Sequence, residues 1–216
     1  MGAATRVRRA RTADLPQIVA IHEAAFSGFF LTLLGAPFLR ELYRAFMVEA
    51  TAICLVGEVE RPSGVPELAG FVVGTVTPES FFRKLLLKRG ARFALAAVPA
   101  LLRHPRRVFP RLLGAVRYRG ERPIDVPDAA LLSSIGVHPQ AARRGLGRAL
   151  VEQFCEQAAR LGAQRVYLTT DHEGNEAVNS LYRRAGFDLA GTLVRPDGRI
   201  MNTYVRVLTT EHAFAK

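Results

Sequence analysis

The chain has 216 residues, 49% of them apolar, and 30 Lys and Arg against 19 Asp and Glu give a formal charge of +11. This is the length of one domain carrying an insertion, with apolar content enough for a sizeable core. Cys54 and Cys155 form neither a disulfide framework nor a C-x-x-C pair, the scattered histidines match no metal-ligand spacing, and no run approaches the roughly 18 apolar residues of a membrane span. The chain is therefore expected to bind no metal, to hold its two cysteines as packed thiols and to be cytoplasmic. The basic stretch Met1 to Arg11 runs into Thr12-Ala13-Asp14-Leu15-Pro16 and not into the apolar core of a signal peptide. A basic balance attracts nucleic acid, anionic membranes or acidic small molecules alike. Without a helix-turn-helix or zinc-finger motif, charge alone does not make a nucleic-acid binder.

Thr5 to Arg11 alternates and predicts a short first strand. Asp14 is placed to cap a helix with Pro16 in its first turn, and Leu15, Ile18, Val19, His22 and Phe26 then recur at helical spacing. A second helix is expected over 36–49, with Leu39, Leu42, Tyr43, Phe46 and Met47 on one face. Two Val- and Ile-rich runs, 52–59 and 68–76, flank the turn former Arg61-Pro62-Ser63-Gly64 and predict a hairpin. From Pro78 to Pro127 the character changes. Apolar helical stretches carry many arginines and are interrupted by Pro99, Pro105, Pro110 and Pro123, which predicts an insertion of two or three short helices. Between Arg83 and Arg122 it holds twelve basic residues and one acid, Glu121, interleaved with Phe and Leu. Such a mixture suits helices at an anionic interface, or a lid or homodimer contact whose apolar side is buried in protein. The remainder predicts a strand over 131–137, a helix over 145–161, a strand over 165–170, a helix over 176–184 and closing strands over 189–193 and 203–208. That order implies an α/β fold, a mixed sheet covered on both faces.

The strongest local signal is the apolar strand Leu131 to Val137 followed by His138-Pro139-Gln140-Ala141-Ala142-Arg143-Arg144-Gly145-Leu146-Gly147-Arg148 and an amphipathic helix. A helix start reached in this way aims free backbone N–H groups and the positive end of the helix dipole at one point, where a pyrophosphate binds. Gly145 and Gly147 let the phosphates come close, and Arg143, Arg144 and Arg148 add positive charge. A Walker A loop would need Gly-Lys-Ser/Thr where Gly147-Arg148-Ala149 stands, and a dinucleotide fingerprint would need a small residue in place of Leu150. The third reading is an acyl-CoA pyrophosphate loop.

With these residues the sequence resembles the GNAT acetyltransferases, whose signature is Gln/Arg-x-x-Gly-x-Gly/Ala after a Val-x-Pro. A second segment, Asn175-Glu176-Ala177-Val178-Asn179-Ser180-Leu181-Tyr182-Arg183-Arg184-Ala185-Gly186-Phe187, is similar to the family's Asn, Leu-Tyr and Gly-Phe ending. Asn175, Asn179 and Tyr182 lie at i, i+4 and i+7, on one helix face. The resemblance departs at Ala142, where the signature has Gln or Arg, at Ala130 and Leu131, where many members carry a carboxylate, and at Thr170, where ribosomal-protein acetyltransferases of the family carry a glutamate base.

The resemblance implies a mostly antiparallel GNAT sheet over 1–216 with a helical insertion between strands 3 and 4. It implies acetyl-CoA as co-substrate, held by the backbone of Ile135, Gly136 and Val137, by the loop Arg143, Arg144, Gly145, Leu146, Gly147 and Arg148, and by Asn175 and Asn179. It further implies Tyr182 as the residue that protonates the coenzyme A thiolate. The acceptor it implies is a small-molecule or peptide amine. Asp171, His172 and Glu173 follow the fifth strand, and Asp171 is the preferred general base, with Glu23, Glu58 or ordered water alone as further options. A longer acyl donor, a thiol or hydroxyl acceptor, or a non-catalytic acyl-CoA sensor or membrane-associated module are the alternatives; an intact Tyr182 favours catalysis.

Overall fold

The computed structural model describes residues 5–60, 65–117, 128–195 and 198–208. In chain order these form β1 (Thr5–Arg9), α1 (Leu15–Ala25), α2 (Phe30–Leu33), α3 (Gly35–Val48), β2 (Ala52–Glu60), β3 (Pro66–Thr75), α4 (Pro78–Arg103), α5 (Pro105–Arg117), β4 (Ala129–Val137), α6 (Leu146–Arg160), β5 (Arg165–Asp171), α7 (Glu176–Arg184), β6 (Asp188–Val194) and β7 (Ile200–Val207). The strands make one sheet in the order β1-β2-β3-β4-β5-β7-β6. Among the described strands only the β4–β5 pair is parallel. The expected mostly antiparallel sheet and the helical insertion between the third and fourth strands are both present.

Helices cover both faces, which is why β2 and β3 are buried almost throughout and read as continuous apolar runs. One core lies beneath α6 and α7, where Ile53, Leu55, Val72 and Leu168 meet Leu146, Leu150, Phe154 and Tyr182. The other lies beneath α1, α3 and the start of α4, where Val56, Phe71 and Val73 meet Ile18, Leu39, Tyr43, Phe46 and Phe81. Gly57 of β2 and Gly70 of β3 sit opposite each other. A Cβ on Gly57 would stand 2.5 Å from Leu146 Cδ1, and one on Gly70 would stand 2.9 Å from Leu150 Cδ1. This notch lets the first turn of α6 settle onto the sheet, which fixes where the preceding loop lies.

The structure corrects two local expectations and adds one element. Asp14 does not cap α1 with its side chain. Its carboxylate accepts the Arg11 N–H at 2.6 Å and two bonds from Arg8, at 2.7 and 2.9 Å, tying β1 to the turn. The insertion contains a 26-residue helix that runs through Pro99 in place of several short ones. Leu95, whose carbonyl loses its donor at Pro99, lies with Pro99 on the exposed side, so water can take the place of the missing N–H. The break comes at His104, held out of helical geometry before Pro105. The short α2 had no counterpart in the sequence reading. The expected turn at 61–64 and the end of the insertion, 118–127, lie outside the described residues.

Both cysteines are buried and unpaired. Burial pushes the Cys54 thiol up to about 12 and the Cys155 thiol up to about 11, so neither is a nucleophile at neutral pH.

Candidate active site

The parallel contact between β4 and β5 is short. Ala129, Ala130 and Leu131 pair with Arg165, Val166 and Tyr167, and beyond them the two strands part. The register of β4 on β3 slips at the same point, Val73 facing Ser134 and Gly74 facing Leu132, which leaves Ser133 as the extra residue of a bulge. A bulge bends its strand and raises the local twist. Here it accompanies the opening of a gap between the outer half of β4 and the end of β5.

The backbone of Ile135 and Val137 faces this gap. The His138 N–H donates to the Ala69 carbonyl of β3 at 2.7 Å. Strand alternation then turns the Gly136 N–H toward β3 as well, and the N–H and C=O groups of Ile135 and Val137 toward the gap. Gly136 is buried, and a Cβ there would stand 2.7 Å from the Phe71 ring, so its contribution to a site is close packing of the strand.

The loop after β4 enters α6 through two left-handed residues, Arg143 (φ 64°) and Gly145 (φ 79°). A left-handed arginine is uncommon and costs backbone energy, and such strain gathers where a loop is shaped for a ligand. The Ala149 N–H donates to the Gly145 carbonyl at 3.1 Å, so the N–H groups of Leu146, Gly147 and Arg148 precede the first intrahelical bond. Leu146 is buried and serves as the anchor in the glycine notch, while Arg143, Arg144 and Arg148 are exposed. Arg148 Nε donates to Glu152 Oε1 at 2.7 Å across one helical turn. The space above Gly147 is open: a Cβ there would meet only Leu181 Cδ2 at 3.5 Å and Val137 Cγ2 at 3.8 Å. Those two neighbours come from α7 and β4, so the three motif segments converge on one point.

On the far side of the gap α7 is tied to the end of β5. Asn175 Nδ2 donates to Thr170 Oγ1 at 2.5 Å, and Asn179 Nδ2 donates to the Asp171 carbonyl at 3.2 Å. Asn202 Nδ2 donates to Asn179 Oδ1 at 3.1 Å, and His172 Nδ1 lies 2.8 Å from Asn202 Oδ1. Asn179 is therefore buried and engaged at both ends of its amide, and what it does is hold α7 against β5 and β7. Asn175 uses its amide nitrogen in the same way and keeps its carbonyl oxygen. Tyr182, one turn on, is 4% exposed and packs its ring near Phe187 and Tyr204, at 5.7 and 6.0 Å. Burial pushes its phenol well above the ordinary value, so it is fully protonated at neutral pH. No group among the described residues hydrogen-bonds that hydroxyl.

Asp171, the last residue of β5, is half-buried, and Arg199 donates to its Oδ1 from Nη2 at 2.5 Å and from Nε at 3.1 Å. Arg199 also stands 5.7 Å from the Phe29 ring centroid, so the segment after α1 and the start of β7 meet at this end of the gap. His172 and Glu173 are exposed.

Sequence reasoning missed a polar pair under β4. His22 Nδ1 and the Tyr43 hydroxyl lie 2.5 Å apart, both buried, with Phe71 and Phe26 against the imidazole. His22 Nε2 is buried without a partner. The signal was a histidine and a tyrosine set among the apolar positions of two helices. Burial pulls His22 down to about 4, against 6.5 in an unfolded chain. As pH falls the unfolded state takes up this proton first, so the stability is intact above about 6.5 and declines toward about 4. Urea unfolding at about pH 5 should give a stability about 2 kcal/mol below that at about pH 7. His22→Phe should flatten this dependence while lowering stability at both, because Tyr43 loses one of its hydrogen-bond partners and keeps Ser134; an unchanged slope contradicts the assignment.

A separate cavity of about 300 Å³ opens between β2, β3 and the loop, lined by Glu60, Glu67, His138 and Arg144 among others. Two carboxylates in its wall make it a poor seat for a polyphosphate. The gap between β4 and β5, with its convergent N–H groups and arginines, is the candidate site.

A model of the acetyltransferase (GNAT) family matches residues 19–187. The chain belongs to the GNAT acetyltransferase family. It is an acetyl-CoA-dependent N-acetyltransferase, with acetyl-CoA as co-substrate. The GNAT fold extends over nearly the whole chain in structural comparisons. A GNAT-family acetyltransferase structure from Desulfovibrio desulfuricans aligns at a TM-score of 0.61 with 17% identity, covering 95% of this chain and 100% of that one. The ribosomal-protein-S18-alanine N-acetyltransferase of Escherichia coli aligns at 0.56 with 16% identity, covering 99% of each. A Salmonella typhimurium protein described as an acetyltransferase and solved with its cofactor acetyl-CoA aligns at 0.59 with 16% identity, covering 97% of this chain and 96% of that one. No curated protein matches the chain. The residues present fit a coenzyme A pyrophosphate, since an open glycine, uncommitted helix N–H groups and exposed arginines meet at the end of the gap. Among the described residues no group of three His, Cys, Asp or Glu side chains is placed to hold a metal, and no helix is long and apolar enough to cross a membrane.

Proposed function

We propose that the chain moves an acetyl group from acetyl-CoA onto an amine of a small-molecule or peptide acceptor, by direct attack of the nitrogen on the thioester. The observation that carries this reading is the opening between β4 and β5, with the Arg143 to Arg148 loop at one wall and the Tyr182 helix at the other. Bound acetyl-CoA supplies an activated acetyl carbonyl and a thiolate leaving group. The gap-facing backbone of Ile135 and Val137 pairs with the pantetheine arm and offers an N–H to the carbonyl oxygen as negative charge grows there. Removing such a donor typically costs about 3 kcal/mol. The amine lone pair forms the C–N bond while the C–S bond breaks and sulfur keeps the electron pair. Tyr182 hydrogen-bonds the sulfur as its charge develops and relays a proton to it, its own hydroxyl proton being replaced from solvent so that no buried phenolate remains. Asp171 takes the proton released by the nitrogen, directly or through water, and Arg199 fixes the orientation of its carboxylate.

The acceptor enters where Phe29 and Arg199 meet, near the segment between α1 and α3. A panel of amine classes, among them polyamines, amino sugars and peptide N-termini, incubated with acetyl-CoA while free thiol is followed should give release that depends on the amine. Thiol release equal with and without every amine, from protein that binds coenzyme A, would instead support a non-catalytic acyl-CoA sensor.

A further inference from the structure

Helix α4 is apolar on two opposite sides. The inner side, with Phe81, Phe93, Ala97 and Ala100, is buried, Phe93 against Phe38 at 5.0 Å between ring centroids and Phe81 against Phe46 at 4.6 Å. This half of the helix is a lid on α2 and α3, which α5 extends through Val108. The outer side is not accounted for in this way. Leu87, Ala91, Leu95, Val98 and Leu102 follow one another at intervals of four, four, three and four residues, a stripe about 22 Å long on one side of the helix. They lie open, with Leu87 80%, Leu95 75% and Leu102 77% exposed, and Phe109 of α5 is 58% exposed. Exposed basic side chains border the line: Lys84, Lys88, Arg92 and Arg103 on α4, then Arg106 and Arg107 on α5. From Arg83 to Arg117 the chain carries no acidic residue.

We propose that this outer face of α4, with Phe109 of α5, docks on an anionic lipid bilayer. The leucines enter the boundary between headgroups and acyl chains, and the bordering Lys and Arg reach the lipid phosphates. Charge decides the occupant. A second copy packed through the same face would set Lys84, Lys88, Arg92 and Arg103 against the same basic segment, with no acid within 83–117 to relieve them. A nucleic acid would satisfy the charges but leave a line of aliphatic side chains against sugar and phosphate. An anionic bilayer takes both the charge and the leucines. The proposal is independent of the acetyl acceptor, because the docking line is on the side of α4 away from the sheet.

Co-sedimentation of the full chain with vesicles tests it. Vesicles of phosphatidylglycerol and phosphatidylcholine should carry the protein down at low salt, high salt should reduce the bound fraction at least about tenfold, and phosphatidylcholine alone should leave it in the supernatant. The triple variant Leu87→Glu, Leu95→Glu, Leu102→Glu changes only exposed side chains, so it should keep its thermal unfolding and thiol-release activity and lose vesicle binding. No sedimentation with the anionic vesicles at low salt would overturn the proposal. So would binding that survives the triple variant, which would point to a general polyanion site, or a wild-type dimer that the triple variant dissociates, which would assign the face to a second copy.

Discussion

Replacing Tyr182 with Phe is expected to lower kcat by about 100-fold or more, the scale of a positioned proton donor, while acetyl-CoA affinity changes little. The split follows from where the residue sits. Its ring packs near Phe187 and Tyr204 and keeps that packing as Phe, so α7 and the loop at Gly147 stay in place. Its hydroxyl has no hydrogen-bond partner among the described residues, and in the proposed mechanism it matters most when sulfur carries charge. An interaction made mainly in the transition state appears in kcat and kcat/KM together and not in ground-state binding. Steady-state thiol release and a coenzyme A titration on the same preparation separate the two. Equal loss of binding and turnover, or loss of neither, would reduce Tyr182 to a core residue.

The parts of the site that were legible in the sequence are those punctuated by residues with one conformational habit. Helix α7 begins after Asn175 and ends before Gly186, which is left-handed at φ 77°, and the sequence placed it over the residues it occupies. The loop into α6 was legible because Gly145-Leu146-Gly147 between a strand and an amphipathic helix has few other uses. What the pattern could not carry was geometry set by partners far along the chain. The bulge at Ser133 and the parting of β4 from β5 depend on strand pairing, and Leu131-Leu132-Ser133-Ser134 looks like any strand. The continuity of α4 was hidden because Pro99 marks a break by local rule, whereas its exposed position lets water replace the lost bond. Asn179 reads as a helix-face amide aimed at the cofactor segment, and only the tertiary contacts show it held by Asp171 and Asn202. His22 and Tyr43 fit the apolar spacing of α1 and α3 well enough to pass for core residues until their two polar atoms are seen side by side.

The proposed mechanism requires a coenzyme A pyrophosphate at the Gly147 end of the gap. Calorimetric titration of coenzyme A into Gly147→Asp, beside Gly147→Ala and the parent chain, tests this most directly. A Cβ at this position makes ordinary contacts with Leu181 and Val137, so the alanine variant should fold and bind with modest loss. The aspartate variant should also fold, since the space beyond is open, but it would set a carboxylate beside the phosphates, at roughly 4 Å if the two are in direct apposition. Repulsion at that distance near a protein surface amounts to about 3 to 4 kcal/mol, or two to three powers of ten in Kd. Coenzyme A should therefore bind the parent and the alanine variant and bind Gly147→Asp at least about 100-fold more weakly. Affinity for a folded Gly147→Asp equal to that of the parent would contradict the placement of the cofactor and the mechanism built on it.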